Sequence, residues 1–506
     1  MAVESVPFKS RTLERATWRR QVLLWLALGM FGLATATIVL FVLQPFGAIG
    51  VHALGGGFEV ASAGLGLWLA GIVLLWTLRQ RRFELFDVMI WLSLNTYVQI
   101  IVNVWLLQRD KGPEAPVSFL ISTDYQSLAM QAVLVFGVGL TVMWGAYALG
   151  VQWLSRRPAQ KNEREHVLQL RPAAAIWTLG WLLTSLSVLV GIVGYQPAIA
   201  GVSFLNYLDF VSLITNCAQV SLMMYHFQNP TRRGWVWLVL VVGSSMFISL
   251  IAATKGAALI LIQVMMAYFY SRRTIAWRPI ILLGALTLGA LIVLVPTANT
   301  VRRVLLVEQN LGFDTRVTAV TDALSSVDLE ANSNETLLVF QGRQGSLLLT
   351  TAAILYLHPQ IMPYVGLDVI EALPSALIPR FLWPGKGFVN IDAYQTTELY
   401  RDAGSSTGGG TAIGLFADSY RWGGWATMPF ILAAFGFLGA WMYHQGPARR
   451  DPAGIVFYIA FGLSLLAFES TVFKIFMDMI QKGILLWVMT MSFLYRSVSR
   501  PSVSHK

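Results

Sequence analysis

The sequence predicts an all-α polytopic membrane protein with about twelve transmembrane helices. Of its 506 residues, 56% are hydrophobic and only 12% are charged, and long apolar runs recur along the chain. Soluble domains have about a quarter of their residues charged, and a membrane-spanning helix needs about 20 apolar residues. The net charge of +10 does not indicate nucleic-acid binding, because the basic residues stand in short groups between apolar runs.

Twelve apolar runs are candidates for membrane spans. The first follows a basic N-terminal segment, residues 1–21, and is too long for the core of a signal peptide, which has roughly 7–15 residues, so we expect it to be retained. The predicted spans are residues 22–43, 61–78, 85–107, 127–154, 173–194, 204–226, 235–252, 256–271, 279–296, 425–443, 454–471 and 483–495.

The basic residues predict the orientation of these spans. Most of the 36 lysines and arginines fall in every second connection and in the two terminal segments, which is typical of cytoplasmic segments. Both termini are therefore predicted to be cytoplasmic. The predicted regions are residues 1–21 in the cytoplasm, nine spans in 22–296, one large, partly helical periplasmic loop in 297–424, three spans in 425–495 and a cytoplasmic tail in 496–506.

The sequence gives no indication of metal or nucleotide chemistry. Cys217 is the only cysteine and stands in an apolar run, so no disulfide framework or thiolate metal site is expected. No cluster of metal ligands and no GxxxxGK[ST] phosphate-binding loop occurs in the sequence. We therefore expect neither a metal nor a cofactor.

Polar residues with a possible function gather in the predicted periplasmic loop. Arg302 and Arg303 follow the ninth span, where they would either anchor the helix at the membrane surface or bind a phosphate. His358 follows an apolar helix predicted at Ser346–Leu357, which is too short to cross a membrane alone. This histidine is either a satisfied helix-end residue or a general base.

The densest group of functional candidates begins in the segment LIPRFLWPGKG. Pro379 and Pro384 prevent a continuous helix here and hold Arg380 and Lys386 near Trp383. Tryptophan prefers the membrane interface. Cations beside a tryptophan at the membrane surface suit a phosphate carried by a lipid.

A second group of charged and aromatic residues precedes the tenth span. Glu398 and Arg401 stand before a glycine cluster, and Asp418, Tyr420 and Arg421 lie in the segment TAIGLFADSYRWGGW. If this segment is helical, Asp418 and Arg421 share one face because they are three residues apart. A surface ion pair is therefore the alternative to a catalytic role for Asp418.

These segments resemble the O-antigen polymerase (Wzy) and oligosaccharide repeat-unit polymerase family of bacterial envelope enzymes. The resemblance rests on the many-span layout with one large late outer loop, on the segment IPRFLWPGK and on the pattern T-x-x-G-x-x-x-[DE]-x-Y-x-x-G. That pattern is formed here by Thr411, Gly414, Asp418, Tyr420 and Gly423. Family members often have glutamate where this chain has Asp418, and the carboxylate is retained.

The resemblance implies a GT-C-like fold in the bacterial inner membrane and an activity at its outer face. Such enzymes transfer a growing glycan from undecaprenyl diphosphate to a lipid-linked repeat unit, without metal or nucleotide. The implied partners are the lipid-linked donor and acceptor, membrane lipids, a chain-length regulator and a flippase, and no nucleic acid.

This chemistry requires cations for the departing diphosphate and a base for the acceptor hydroxyl. The candidate bases are Asp418, Glu398 and His358, and the sequence does not choose among them. The residues expected to bind the diphosphate or glycan are Arg380, Lys386, Arg401, Arg421, Arg302, Arg303, Tyr420 and Trp383.

Two other functions fit the sequence. An O-antigen ligase-type glycosyltransferase uses the same kind of donor, and only its acceptor, a finished lipid core, differs. A polytopic transporter or flippase is the second alternative. Transporters commonly show two related halves. Here nine spans precede the long loop and three follow it, which favours an enzyme.

Overall fold

The computed structural model describes residues 57–80, 86–108, 125–155, 164–189, 205–252, 256–271, 277–307, 313–325, 347–348, 350–366, 413–465, 471–477 and 483–499. Nearly all of them are helical. The longer helices are α1 (Gly57–Gln80), α2 (Val88–Gln108), α3 (Tyr125–Ser155), α4 (Leu170–Leu189), α5 (Leu205–Gln228), α6 (Arg232–Ile251), α7 (Gly256–Ser271), α8 (Trp277–Val307), α9 (Phe313–Ser325), α11 (Gly424–Tyr443) and α12 (Pro452–Leu465). The shorter elements are α10 (Leu415–Arg421), α13 (Val472–Met477), α14 (Ile484–Met489), the π-helical segments His444–Ala448 and Thr490–Leu494, and the strands β1 (Arg164–Leu168) and β2 (Tyr495–Ser499).

Six described helices are long and apolar enough to cross a membrane. These windows lie in α1, α3, α4, α6, α8 and α11, and shorter apolar helices occupy Val88–Val98, Leu259–Ser271 and Pro452–Gly462. The structure is thus mostly helical, as an all-α membrane protein requires. Each predicted span after the first overlaps a described helix, whereas span 22–43 lies outside the described residues. The total of twelve spans stays a prediction.

Two short strands form an antiparallel sheet that the sequence did not predict. Arg164 pairs with Ser499 and Leu168 pairs with Tyr495, and the Gln169 N–H donates to the Leu494 carbonyl at 2.8 Å. Each strand is only five residues long, and neither shows an alternating apolar pattern. The sheet joins the connection after α3 to the residues after α14. We call the end of the helix bundle that carries it the sheet end.

Other connections meet at the sheet end. The His166 Nδ1 atom lies 2.8 Å from Oδ1 of Asp451, which precedes α12. The other carboxylate oxygen of Asp451 accepts a hydrogen bond from the Gly454 N–H at 3.0 Å and so caps α12. The Tyr495 hydroxyl donates to Ser221 Oγ of α5 at 3.2 Å. The sheet therefore holds together elements that are far apart in the sequence.

A buried aspartate fixes the turn between α1 and α2. Asp87 is fully buried, and its Oδ2 accepts hydrogen bonds from the Tyr147 hydroxyl at 2.7 Å and from Trp76 Nε1 at 3.1 Å. Its Oδ1 accepts the Met89 N–H at 2.8 Å, which caps α2. Burying a carboxylate is costly unless its oxygens are hydrogen-bonded, and here three donors from α1, α2 and α3 meet that need.

Tyrosines of two further helices bind the backbone of the same turn. The Tyr458 hydroxyl of α12 accepts the Val88 N–H at 2.8 Å and donates to the Phe86 carbonyl at 3.2 Å. The Tyr270 hydroxyl of α7 lies 3.4 Å from the same carbonyl, and its ring contacts that of Tyr458 at 6.0 Å. The turn at Asp87 thereby connects five helices at the sheet end.

Helices α3 and α11 share the most extensive packing of the described helix pairs. Their close approach depends on small residues, because a Cβ atom at Gly436 would overlap the backbone carbonyl of Met143. Between helices in lipid there is little hydrophobic driving force, so close backbone packing contributes much of the association energy. At the neighbouring Gly439 a Cβ atom would lie 3.5 Å from Tyr147 Cδ2, which is an ordinary contact.

Gly436→Ala is therefore expected to lower the free energy of unfolding by about 1–3 kcal/mol, because the new methyl group must push α11 away from α3. Gly439→Ala is the matched control and should be neutral or slightly stabilising, since alanine favours the helix by about 1 kcal/mol. Thermal unfolding of the purified protein in detergent measures both changes. Equal effects of the two substitutions would contradict the close approach at Gly436.

Candidate functional site

α10 lies at the opposite end of the bundle from the sheet. α11 runs from α10 at one end to the connection containing Asp451 at the other. All seven residues of α10 are buried, and Phe416 packs edge-on against Phe136 of α3 at 5.1 Å. Gly414 before α10 and Gly424 after it have φ angles of 85° and 66°. Glycine adopts this left-handed region readily, so the backbone conformation explains why a glycine stands at position 414 in the pattern T-x-x-G-x-x-x-[DE]-x-Y-x-x-G.

Asp418 and Arg421 form a buried ion pair within α10. Oδ1 of Asp418 accepts a hydrogen bond from Arg421 Nε at 2.8 Å and lies 2.6 Å from Arg421 Nη2. The two side chains are only 1% and 3% exposed. The expectation of a surface ion pair was therefore right about the partners and wrong about their location. The pair is buried because α3, α11, α13 and the turn after residue 357 enclose α10.

The second oxygen of the Asp418 carboxylate joins α10 to α13. Oδ2 accepts the N–H of Val472, the first residue of α13, at 2.7 Å. Both oxygens therefore have donors, and one of these comes from a distant part of the chain. These contacts suit a residue that positions α10. The predicted role of Asp418 as a general base stays a prediction.

His358 ends a short buried helix and points its ring at the next turn. Residues 347–348 and 350–357 are helical, as predicted, and Leu348 and Ile354 are buried. The His358 N–H donates to the Ile354 carbonyl at 3.0 Å, which completes the last helical turn. His358 Nδ1 lies 2.9 Å from the Pro363 carbonyl oxygen. The ring is 3% exposed and stacks on Tyr364 with centroids 6.1 Å apart.

These contacts define the protonation state of His358. A carbonyl oxygen can only accept a hydrogen bond, so Nδ1 carries a proton and Nε2 of the neutral ring carries a lone pair. Burial lowers the pKa of His358 below its usual value, and the positive charge of Arg421 adds to this shift. Hydrogen bonds to the backbone of Pro363 and Met362 oppose it. The ring is therefore neutral at neutral pH.

Tyr364 connects His358 to α10. Its ring contacts Tyr420 edge-on at 6.0 Å, and Tyr420 in turn contacts Trp425 at 5.8 Å. Burial and a hydrogen bond with Tyr364 raise the pKa of Tyr420, so its phenol stays protonated. The sequence contains no signal that distinguishes Tyr364 from other tyrosines. Its role depends on a contact between segments that are remote in the chain.

The backbone also joins the two segments. The Val365 N–H donates to the Arg421 carbonyl at 3.1 Å, and the Gly366 N–H donates to the Trp422 carbonyl at 3.0 Å. The structure thus brings together four predicted site residues from two segments. These are His358, Asp418, Tyr420 and Arg421.

The other predicted site residues are not part of this cluster in the described structure. Arg302 and Arg303 lie near the end of α8, which continues to Val307, and α8 is not among the helices that pack closely on α10. The remaining five lie outside the described residues, in the stretch between Gly366 and Ile413, and stay predictions. They are Arg380, Trp383, Lys386, Glu398 and Arg401. Within the described chain, no group of three or more His, Cys, Asp or Glu residues could hold a metal ion.

The fold and this cluster define a helical membrane protein with a charged and aromatic site at one end of its bundle. Residues 145–447 match the family described as a domain of unknown function (DUF8712). This match covers more than half of the chain, so the protein belongs to that family. The matched region runs from α3 to the π-helical segment after α11 and includes His358, Asp418 and Arg421. No curated protein and no solved structure matches the chain.

The buried pair predicts a strong coupling between Asp418 and Arg421. Asp418→Ala or Arg421→Ala leaves one buried charge without its partner, and each should lower the free energy of unfolding by about 3–5 kcal/mol. The double variant should lose clearly less than the sum of the two single losses. Thermal unfolding in detergent of the wild type, the two single variants and the double variant completes this double-mutant cycle. Arg449→Ala, which removes an exposed arginine bonded to Gln445, is the control and should change little. Equally small losses at positions 418 and 421 would contradict the burial of the pair.

Proposed function

We propose that this protein is a bacterial envelope polysaccharide polymerase of the inner membrane. It transfers a growing glycan from its undecaprenyl-diphosphate carrier to a lipid-linked repeat unit at the outer face of that membrane. The observation that carries the proposal is the meeting of His358 with Arg421. One is a predicted base and the other a predicted cation for the diphosphate, and their two segments are joined by the hydrogen bond from the Val365 N–H to the Arg421 carbonyl at 3.1 Å.

The proposed orientation has twelve spans in a GT-C-like arrangement, with the sheet end and both termini in the cytoplasm. Two sets of contacts support it. β1, Asp451 and β2 belong to segments predicted from the basic residues to be cytoplasmic, and they meet at the sheet end. Val472 belongs to a predicted outer turn, and it meets Asp418 at the α10 end.

In the proposed reaction, His358 acts as the base. Its Nε2 takes the proton of the acceptor hydroxyl while the hydroxyl oxygen forms a bond to the anomeric carbon of the donor. The bond between that carbon and the diphosphate oxygen breaks, and the electron pair leaves with the diphosphate. Arg421, together with Arg380, Lys386 and Arg401, is proposed to stabilise the negative charge on the leaving diphosphate. Cations held in place beforehand stabilise that charge more strongly than water does.

The described contacts favour His358 over Asp418 as the base. Asp418 already accepts hydrogen bonds from Arg421 and from the Val472 N–H and pairs with the Arg421 charge, and using it as a base would require breaking some of these contacts. We assign Asp418 to the positioning of Arg421 instead. Glu398 remains the alternative base.

Deletion of the gene in its host tests the function. A gel of the envelope or secreted polysaccharide should show loss of long chains, with a single repeat unit still attached to the lipid core. Complete absence of attached glycan, together with accumulation of lipid-linked polymer, would indicate an O-antigen ligase-type enzyme. An unchanged polysaccharide profile would contradict both functions.

His358→Asn tests the assignment of the base. The asparagine amide can still donate to the Pro363 carbonyl but cannot take a proton, so we expect the rate of chain extension to fall about 10²–10⁴-fold at an unchanged protein level in the membrane. His226→Asn removes a half-buried histidine near the sheet end and should leave chain extension unchanged.

A pH profile of the wild-type rate adds a second readout. Because the pKa of His358 is lowered, the rate should fall only when the pH drops below about 6.5, the usual range of histidine. Full chain extension by His358→Asn would show that His358 is only a helix-end residue.

A further inference from the structure

The exposed charge at the sheet end is carried by arginines. Tyr268 near the end of α7 contacts Phe227 near the end of α5 at 5.3 Å, and Tyr270 joins α7 to the turn at Asp87, so the starts of α6 and α8 belong to this end. Every arginine described as exposed lies here. These residues are Arg171, Arg232, Arg233, Arg278, Arg449, Arg450 and Arg496.

The carboxylates described at this end do not offset these arginines. Asp87 is fully buried in its hydrogen bonds at the α1–α2 turn. Asp451 is held by His166 at 2.8 Å and by the Gly454 N–H at 3.0 Å. Among the described side chains, the exposed charge at the sheet end is therefore entirely positive.

The sheet combines this charge with exposed apolar groups. Val167 stands opposite Arg496 in the pairing of β1 with β2, so both side chains lie on one face of the sheet. Both are exposed, Val167 by 49%, whereas Tyr495 on the other face is buried. Leu170, 39% exposed, follows directly and begins α4 beside Arg171.

The turn after α11 brings two more arginines next to the sheet. Arg449 and Arg450 are exposed and directly precede Asp451. Asp451 bonds the ring of His166, which lies on the opposite face of β1 from Val167, so the two arginines are held beside the sheet and not on its Val167 face. We call the set of Arg171, Arg449, Arg450 and Arg496, with Val167 and Leu170, the arginine face.

We propose that the arginine face is a docking surface for the headgroups of anionic phospholipids. A candidate membrane span begins at Leu170, directly after the sheet, so the arginine face stands at the height of the headgroups. Guanidinium groups bind phosphate oxygens through paired hydrogen bonds. A soluble anion would use the arginines but leave Val167 and Leu170 in water. This inference does not depend on the proposed enzymatic function.

The test measures which lipids the full-length protein retains. The protein is solubilised from vesicles that contain equal amounts of phosphatidylglycerol and phosphatidylcholine, purified, and analysed for bound lipid by mass spectrometry. We expect phosphatidylglycerol to be enriched, and each of R171Q, R449Q, R450Q and R496Q to lower that enrichment by up to about fivefold. The fourfold variant should retain the two lipids almost equally.

Arg278→Gln is the matched control, because it removes an exposed arginine at the same end from α8, which is not among the helices that pack closely on the sheet. It should leave the enrichment within about twofold of the wild type. Equal retention of both lipids by the wild type, or full enrichment in the fourfold variant, would overturn the proposal. Displacement of all phosphatidylglycerol by inorganic phosphate would point to a soluble anion instead.

A salt series on the wild type keeps the proposal testable if the fourfold variant does not fold. Raising sodium chloride from about 0.05 M to about 0.5 M shortens the screening length severalfold. The enrichment of phosphatidylglycerol should fall accordingly. Enrichment that does not respond to salt would mean that the arginines do not hold the lipid.

Discussion

The carboxylate of Asp87 is the contact on which the arrangement of the bundle depends. A buried carboxylate is stable only where donors surround it, and its donors here come from α1, α2 and α3. In lipid there is little hydrophobic driving force between apolar helices, so directional hydrogen bonds such as these help to determine which helices pack together and in what axial register. The position of α3 in turn determines that of α11, because the two helices touch at Gly436.

The same chain of contacts reaches the site at the other end. α11 begins next to α10, so a helix fixed at the sheet end also carries α10 at its far end. There the Asp418–Arg421 pair, Val472 and the Val365 backbone hold α10 against its surroundings. His358 acquires its neutral ring and fixed Nδ1 proton from this packing, and not from any property of its own segment. The chemistry proposed for the site therefore rests on contacts made across the whole bundle.

The sequence predicted the helices well, because length and apolar composition are what a membrane-spanning helix requires. It also predicted that Asp418 would meet Arg421, since their spacing is local. It did not predict that the pair is buried, because the enclosing α13 lies far along the chain. The same reason explains why Tyr364 and the sheet were missed. The predicted ninth span, residues 279–296, ends before α8 does. Span prediction follows hydropathy, which is low at Arg302, whereas the backbone continues as helix to Val307.

The pairing of β1 with β2 constrains the order in which the molecule is completed. β2 follows every other described element in the chain, whereas β1 precedes α4. During synthesis, β1 must therefore wait without its partner strand until all the intervening helices have been made. Contacts between residues so far apart in sequence form slowly, because the chain between them must be ordered first. The sheet can therefore form only after the helices between its two strands have been made.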